Sequence, residues 1–394
     1  MKQIILLFAC LFALQGLAKA DDDRAITVDQ LPQKAQEFIQ KYFPKNEISL
    51  AKMEKDFWEK KYEVVFVNGE KAEFLKDGSW EKVDCKYSTV PTGIAGTAYG
   101  GIGPTQQLVD AYAMNDGRYP IIGYNSQGMP KVDDESGYDV ENEFAKSDWE
   151  YPASGWSSFD NYWINAPNMY KGREPRFYVT VFFSGNKWLH GNSSTSISFA
   201  KGGNGNKAHD YPKSGYLCNR FYDHYQNSAS DNWGNITFPV FRLGEIYLNF
   251  IESVLECKKR EVTLPDNYYN EAMEKWADLR NRAGVPPITE VYPNASTEEL
   301  IELCRKERRI ELAFERHRYF DTRTWMIAEQ TDAGNMYGMN TSYPQGNLDP
   351  TQTPDGFWER NVFETRVFNK NHYLYPFAQR EIDRNKLLVQ NYGW

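Results

Sequence analysis

The stretch WEYPASGWSSFDNYW, Trp149 to Trp163, is dense in aromatic rings set among Gly, Ser, Pro, Asp and Asn. That company predicts a loop rather than a helix or strand. Flat rings on a loop can stack on the C–H faces of sugar rings, while Asp or Asn beside them bonds hydroxyls. Trp149, Trp156, Tyr162 and Trp163 are therefore candidate ligand contacts. Trp188 is a weaker candidate of the same kind, as is Trp233. The plainer reading is that each ring pins a long loop to the core.

Catalytic patterns are missing. The five histidines, at 190, 209, 224, 317 and 372, form neither an H-x-H nor an H-E-x-x-H pattern, so no zinc site is assigned. There is no G-x-S-x-G elbow. The scattered carboxylates cannot be paired for glycosidase work. Gly202 to Lys207 lacks the Gly-Lys-Ser/Thr ending of a phosphate loop and reads as a mobile loop. Lys171 to Arg176 reads as a turn in which Arg173 or Arg176 pairs with a carboxylate. The sequence predicts a binding protein with no catalytic residue, no metal and no cofactor.

Arg305 to Arg309 looks basic, but Glu302, Glu307, Glu311 and Glu315 are interleaved at helical spacing. Glu302–Lys306 and Arg308–Glu311 are expected as intrahelical pairs, about 0.2–0.5 kcal/mol each. Asp321, Arg323 and Trp325 belong to the same structural reading. With a net charge of −9 and a pI near 5.3, the chain suits no nucleic acid.

The elements that must carry these residues follow from periodicity. Residues 1–20 have a positive start, an apolar run from Ile4 to Ala18 and an Ala18-Lys19-Ala20 cleavage site, the pattern of a secretory signal peptide. Lipidation at Cys10 is the second reading of this segment, its apolar core then being short. Cys257 and Cys304 fall in apolar phase on helices and read as buried free thiols. Val28 to Phe43 carries a helical stripe (Leu31, Ala35, Phe38, Ile39, Tyr42, Phe43) that Pro44 ends. Strands follow at Tyr62–Val67, Ala72–Leu75 and Trp80–Cys85, with turns at Asn68-Gly69 and Asp77-Gly78. Further on, a short helix is expected over Pro104–Met114 and a strand over Phe177–Phe183. Strong helices follow over Leu243–Leu255, over Tyr269–Ala283, and from a Ser296–Glu299 capping box to about Arg316. The fold class is α+β, with long loops.

Two resemblances organise these elements. LPQKAQEFIQKYFP followed by KKYEVVFVNGEKAEFLKDGSWEKVDC resembles the PepSY-like, β-lactamase-inhibitor-like periplasmic domains of Bacteroidetes, which usually hold the helix-plus-sheet unit twice. Here only the first unit is expected, over 21–90, with a junction at 91–98. Residues 99–394 resemble the SusD/RagB family through GGIGPTQQLVDAYAMNDG, MYKGREPRFYVTVFFSG, FPVFRLGEIYLNFIESVLE, YNEAMEKWADLRNRAGVP, RKERRIELAFERHRYFDTRTW and YPFAQREIDRNKLLVQNYGW. That resemblance implies tetratricopeptide-like helices and a non-catalytic exported protein. It also implies oligosaccharide capture for a TonB-dependent (SusC-like) transporter at the outer membrane. The alternative is a periplasmic interaction or inhibitor module acting through the PepSY-like unit, with the SusD-like part a degenerate scaffold.

Overall fold

The computed structural model describes residues 24–44, 46–55, 60–67, 71–78, 80–84, 100–150, 162–190, 193–206, 211–221 and 239–394, without the side chains of 54, 55, 80–84, 150, 162–164, 189 and 190. The signal-peptide segment and the 91–98 junction lie outside them. The chain divides into two units, Met1–Lys86 and Tyr87–Trp394.

In the first unit a helix packs on a sheet. Its elements are β1 (Arg24–Ile26), α1 (Gln33–Tyr42), β2 (Ile48–Lys55), β3 (Lys60–Phe66), β4 (Lys71–Phe74) and β5 (Trp80–Asp84). The five strands pair antiparallel in chain order. Tyr62, Val64 and Phe66 alternate onto the face that meets Leu31, Ala35, Ile39 and Phe43. The Phe43 and Phe66 rings stack at 4.6 Å. On the opposite face the half-buried Lys52 and the more exposed Lys71 flank Glu63 at 3.5 and 3.6 Å. The apolar spacing predicts three strands; β1 and β2 are additional, β1 being only three residues long and the alternation of β2 blurred by Lys52 and Lys55. Pro32 splits the expected helix, leaving a single 3₁₀ turn at Val28–Gln30 ahead of α1. Asn68-Gly69 lies outside the described residues. Gly78 does turn the chain, at φ 82°, and a Cβ there would lie 2.6 Å from that of Pro32.

The second unit mixes helices with two-stranded antiparallel sheets, in keeping with an α+β class. Its first half holds α2 (Gln106–Val109), the β6 (Ile121–Tyr124) and β7 (Pro130–Val132) pair, and the β8 (Lys146–Glu150) and β9 (Tyr162–Pro167) pair. There follow α3 (Pro175–Thr180), β10 (Val181–Phe183), the β11 (Lys187–His190) and β12 (Ser193–Ser196) pair, and β13 (Tyr216–Cys218), which pairs with β10. The expected strand over Phe177–Phe183 is corrected here. Pro175 at the first helical position presets φ and starts α3, so only Val181–Phe183 is extended. The Gly202–Asn206 loop is also pinned rather than loose. Asn204 donates to Ser196 O at 2.8 Å, and the buried Asn206 amide donates to Phe199 O and Thr341 O.

The second half holds α4 (Leu243–Lys259), α5 (Tyr268–Arg282), α6 (Ile288–Val291), α7 (Thr297–Glu311), α8 (His317–Thr324) and α9 (Ala328–Thr331). The β14 (Gly334–Met339) and β15 (Arg360–Arg366) pair and α10 (Gln379–Arg384) complete it. Helix α4 packs against both α5 and α7, burying Leu248, Ile251 and Leu255 with Trp276, Leu300 and Cys304. Leu243 and Ile246 belong to the same apolar stripe by spacing, yet they are exposed. The capping box forms as expected: Ser296 N–H donates to Glu299 Oε2 at 2.7 Å and Glu299 N–H to Ser296 Oγ at 3.2 Å. Helix α7 stops at Glu311, short of the expected Arg316, because Phe314 and Arg316 take left-handed φ of 64° and 67°. Cys304 is a buried free thiol; Cys257 is free but only half-buried.

Candidate functional site

The candidate rings separate on inspection. Trp188 is fully buried, edge-on to Phe182 at 5.1 Å. Trp149 is 4% exposed, 6.1 Å from the Tyr178 ring, with its Nε1–H donating to Ala166 O at 3.4 Å. Neither presents a face to a ligand, a correction to the expectation for both; each serves the packing. The backbones of Tyr162 and Trp163 pair in β9 with Glu150 and Trp149. Their side chains, and all of Trp156 and Trp233, lie outside the described residues.

The charged run on α7 is structural, but its pairs differ from those expected. Arg176, from α3, reaches Glu174 at 2.6 Å, Glu307 at 2.6 Å and Glu311 at 2.9 Å. Arg280, from α5, holds Glu307 at 2.8 Å, and Tyr119 O–H donates to the same carboxylate at 3.0 Å. Glu311 further accepts from Arg242 at 2.6 Å and from Arg282. Burial opposes ionisation of Glu307, yet Arg176 and Arg280 hold its carboxyl below the usual range. Burial likewise opposes ionisation at Glu311, where Arg176, Arg282 and Arg242 bring the pKa down to about 2. Arg308 pairs with Asp321 at 3.0 Å and Arg305 with Glu302 at 2.7 Å. The run thus clamps α7 to α3, α4, α5 and α8, with its buried carboxylates Glu307 and Glu311 engaged by arginines of the protein.

A second clamp escaped sequence reading. Arg360 on β15 meets Asp110 at 2.7 Å and Glu143 at 2.9 Å. Tyr124 O–H and Gln106 donate to Asp110, and Tyr138 O–H to Glu143, each at 2.8 Å. Every group is satisfied, so this too is scaffold.

An open cleft of about 540 Å³ lies between α8, β15 and the C-terminal segment. Aromatic rings line it. Tyr319 and Tyr375 stack at 6.4 Å and share a 2.6 Å hydroxyl hydrogen bond. His372 lies 5.5 Å from both Phe368 and Trp394, and Trp394 Nε1–H is fixed by Asn371 O and Leu374 O at 2.9 and 3.0 Å. His372 Nδ1 accepts from Asn369 N–H at 3.1 Å, which leaves Nε2 to carry the ring proton of the neutral form. Polar groups interleave with the rings. Arg323 lies over Tyr319 at 3.4 Å and pairs with Asp332 at 3.3 Å; Arg366 pairs with Glu364 at 3.0 Å. Tyr375 is 70% and Trp394 48% exposed, so ring faces are open to a ligand. Flat apolar faces beside fixed donors and acceptors suit a molecule with both C–H surfaces and hydroxyls. These rings come from segments dispersed between 319 and 394. Tyr319, Tyr375 and Trp394 fall inside stretches that carry the family resemblance, but nothing in the sequence singles out any cleft ring as a ligand contact.

Residues 63–394 match the SusD family model. The chain belongs to the SusD family. A SusD-like protein from Bacteroides fragilis is similar at 27% identity and a TM-score of 0.52, covering 76% of this chain and 48% of its own. A SusD-like carbohydrate-binding protein from the same species reaches 22% identity and a TM-score of 0.49, covering 80% of this chain and 50% of its own. A putative periplasmic protein from Bacteroides vulgatus is 54% identical over 19% of this chain and 60% of its own, at a TM-score of 0.18. This SusD-family chain spans about half the length of the SusD-like structures it resembles. No curated protein matches it.

Proposed function

We propose that the protein is a non-catalytic, exported glycan-binding protein that captures oligosaccharide for a TonB-dependent outer-membrane transporter. The supporting observation is the cleft of Tyr319, Phe368, His372, Tyr375 and Trp394 on a SusD-family body. Trp156, Tyr162 and Trp163 are assigned as further ligand contacts beside it in function; the buried Trp149 and Trp188 serve the core. The packing of α4 with α5 and α7 supports the reading of these helices as tetratricopeptide-like units. Export rests on the signal-peptide pattern of residues 1–20.

Electrophoresis through gels containing neutral polysaccharides tests capture. Retardation by at least one glycan, reduced about tenfold in affinity by Tyr375→Ala with the melting temperature lowered by only a few degrees, is the expected result. Free migration in every glycan overturns the reading. Co-purification with a SusC-like transporter tests the partnership.

A second reading rests on the first unit, which builds a core of its own from α1 and the five-stranded sheet. A surface of that kind can act as a PepSY-like interaction module. A periplasmic protein retained by residues 21–90 of the intact chain, and lost on substitution there, would favour it.

A further inference from the structure

A second pocket, of about 660 Å³, opens beside α6 and the first turns of α7. Arg118, Glu135, Tyr292, Glu298, Glu302 and Lys306 line it, and it shares no residue with the aromatic cleft. By spacing, Glu302 is the partner of Lys306, one helical turn away. The structure gives Glu302 to Arg305 at 2.7 Å instead. The remaining acids are engaged too. Glu135 holds Arg118 at 2.9 Å, and Glu299 accepts from Ser296 N–H at 2.7 Å in the capping box. Arg118 is further tied to Asp133 at 3.6 Å and lies over the Tyr292 ring at 5.2 Å. Lys306 alone in this lining is a half-buried cation with no hydrogen bond or ion pair among the described residues; its ammonium rests 5.4 Å from the Tyr119 ring centroid. The Lys306 side chain is thus partly withdrawn from water while its ammonium keeps a free hydrogen-bonding capacity that an anion can take up. Burial accordingly pushes its pKa below the ordinary lysine range, with Glu302 and Asp133 only partly offsetting this.

We propose that this pocket binds a carboxylate-bearing sugar residue, a uronate within an oligosaccharide, with Lys306 as the ammonium that pairs with its carboxylate. The ligand class rests on the glycan-binding reading; the site itself rests on Lys306 and the pocket. Glu135 and Glu302 are neutralised by Arg118 and Arg305, and the Glu299 carboxylate is drawn to the Ser296 N–H in the capping box, so the anion meets Lys306 first. Glu298, on the exposed first turn of α7, is left to accept from a sugar hydroxyl. The volume lies within the range of small-ligand pockets.

Calorimetric titration of the full-length protein with trigalacturonate, and with galactotriose as its neutral counterpart, tests the proposal. Trigalacturonate is expected to bind more tightly than galactotriose. Lys306→Met should weaken it about tenfold or more, and Lys306→Arg should restore most of the loss. A second measurement on the unaltered protein does not depend on any variant folding. Trigalacturonate, unlike galactotriose, should shield Lys306 from acetylation by acetic anhydride, read by mass spectrometry of the α7 peptide. Equal affinity of Lys306→Met for trigalacturonate overturns the proposal. So does acetylation of Lys306 at the same rate with and without trigalacturonate, or shielding by both sugars alike. Failure here leaves capture of neutral glycans through Tyr375 standing, and failure of that capture leaves Lys306 shielding to be read by itself.

Discussion

Arg176 and Glu311, 135 positions apart in the chain, meet at 2.9 Å, both buried. The pair works because the guanidinium is shared. Glu174 and Glu307 reach the same Arg176, and Glu311 draws on Arg242 and Arg282. Arg176 is therefore the cation common to all three buried carboxylates, with Arg280 added at Glu307 and Arg242 and Arg282 at Glu311.

Arg176→Met keeps the side-chain volume and removes that cation. Glu174 and Glu307 lie fully buried; Glu307 keeps Arg280, but Glu174 loses its only ion-pair partner among the described residues, where its charge is poorly hydrated. The expected loss is about 3–5 kcal/mol, measured as a lower midpoint in urea. A loss below about 1 kcal/mol would mean that the carboxylates take up protons or rearrange without cost.

The same cluster sets a pH dependence. The folded-state pKa of Glu311 lies at about 2, below its ordinary value of 4.5. Its contribution is therefore present above about pH 4.5 and is lost as pH falls towards 2. A shift of that size corresponds to about 3 kcal/mol. Glu307 acts in the same direction. Glu174 acts oppositely: burial raises its pKa, so its ionisation costs stability as pH rises. The net expectation is a urea midpoint that falls between pH 5 and 2.5, with a shallower fall in Glu311→Gln. An unchanged slope in that variant would remove Glu311 from the account.

The helices could be read from spacing because their apolar faces repeat locally; Leu248, Ile251 and Leu255 are buried as the stripe predicts. The charged run on α7 was visible as helical and structural, yet its partners were not. Glu302, Lys306, Arg308 and Glu311 look like neighbours on one helix, but Arg308 finds Asp321, and Glu311 finds Arg176 across the fold. Aromatic density misled for a related reason. Trp149 and Trp188 sit among small polar residues, but β8–β9 and β11–β12 turn them inward. The cleft rings, in contrast, are gathered by tertiary packing from segments that show no local signal.

Trp188 and Tyr375 give the contrast a measurable form. Trp188→Ala removes a fully buried indole and leaves a cavity, so a loss of about 3–5 kcal/mol is expected. Tyr375 is 70% exposed, and Tyr375→Ala forfeits chiefly its hydroxyl bond to Tyr319 and their ring stacking, about 1 kcal/mol. Denaturation curves of both variants decide. Comparable losses would place Tyr375 in the core rather than in a ligand cleft.

The glycine run Gly100-Gly101-Ile102-Gly103 enters the second unit, and its members have different jobs. A Cβ on Gly103 would sit 2.0 Å from Tyr216 O and 3.2 Å from Ser214 Oγ. The contact is with the backbone of β13, which cannot swing aside as a side-chain tip can. The close approach lets Cys218 N–H donate to Ile102 O at 2.8 Å, just beyond the Tyr216 hydroxyl that bonds Gln106 of α2 at 2.6 Å. Gly103→Ala should therefore push this segment off β13 and cost about 1–3 kcal/mol or more. Gly101 faces open space, with nothing within 4 Å of its would-be Cβ. Gly101→Ala is expected to leave stability unchanged or raise it by up to about 1 kcal/mol, through a less flexible unfolded chain. Thermal melting of the two variants side by side separates close packing from flexibility as the reason for the run. Equal melting temperatures would show that the segment does not depend on its approach to β13.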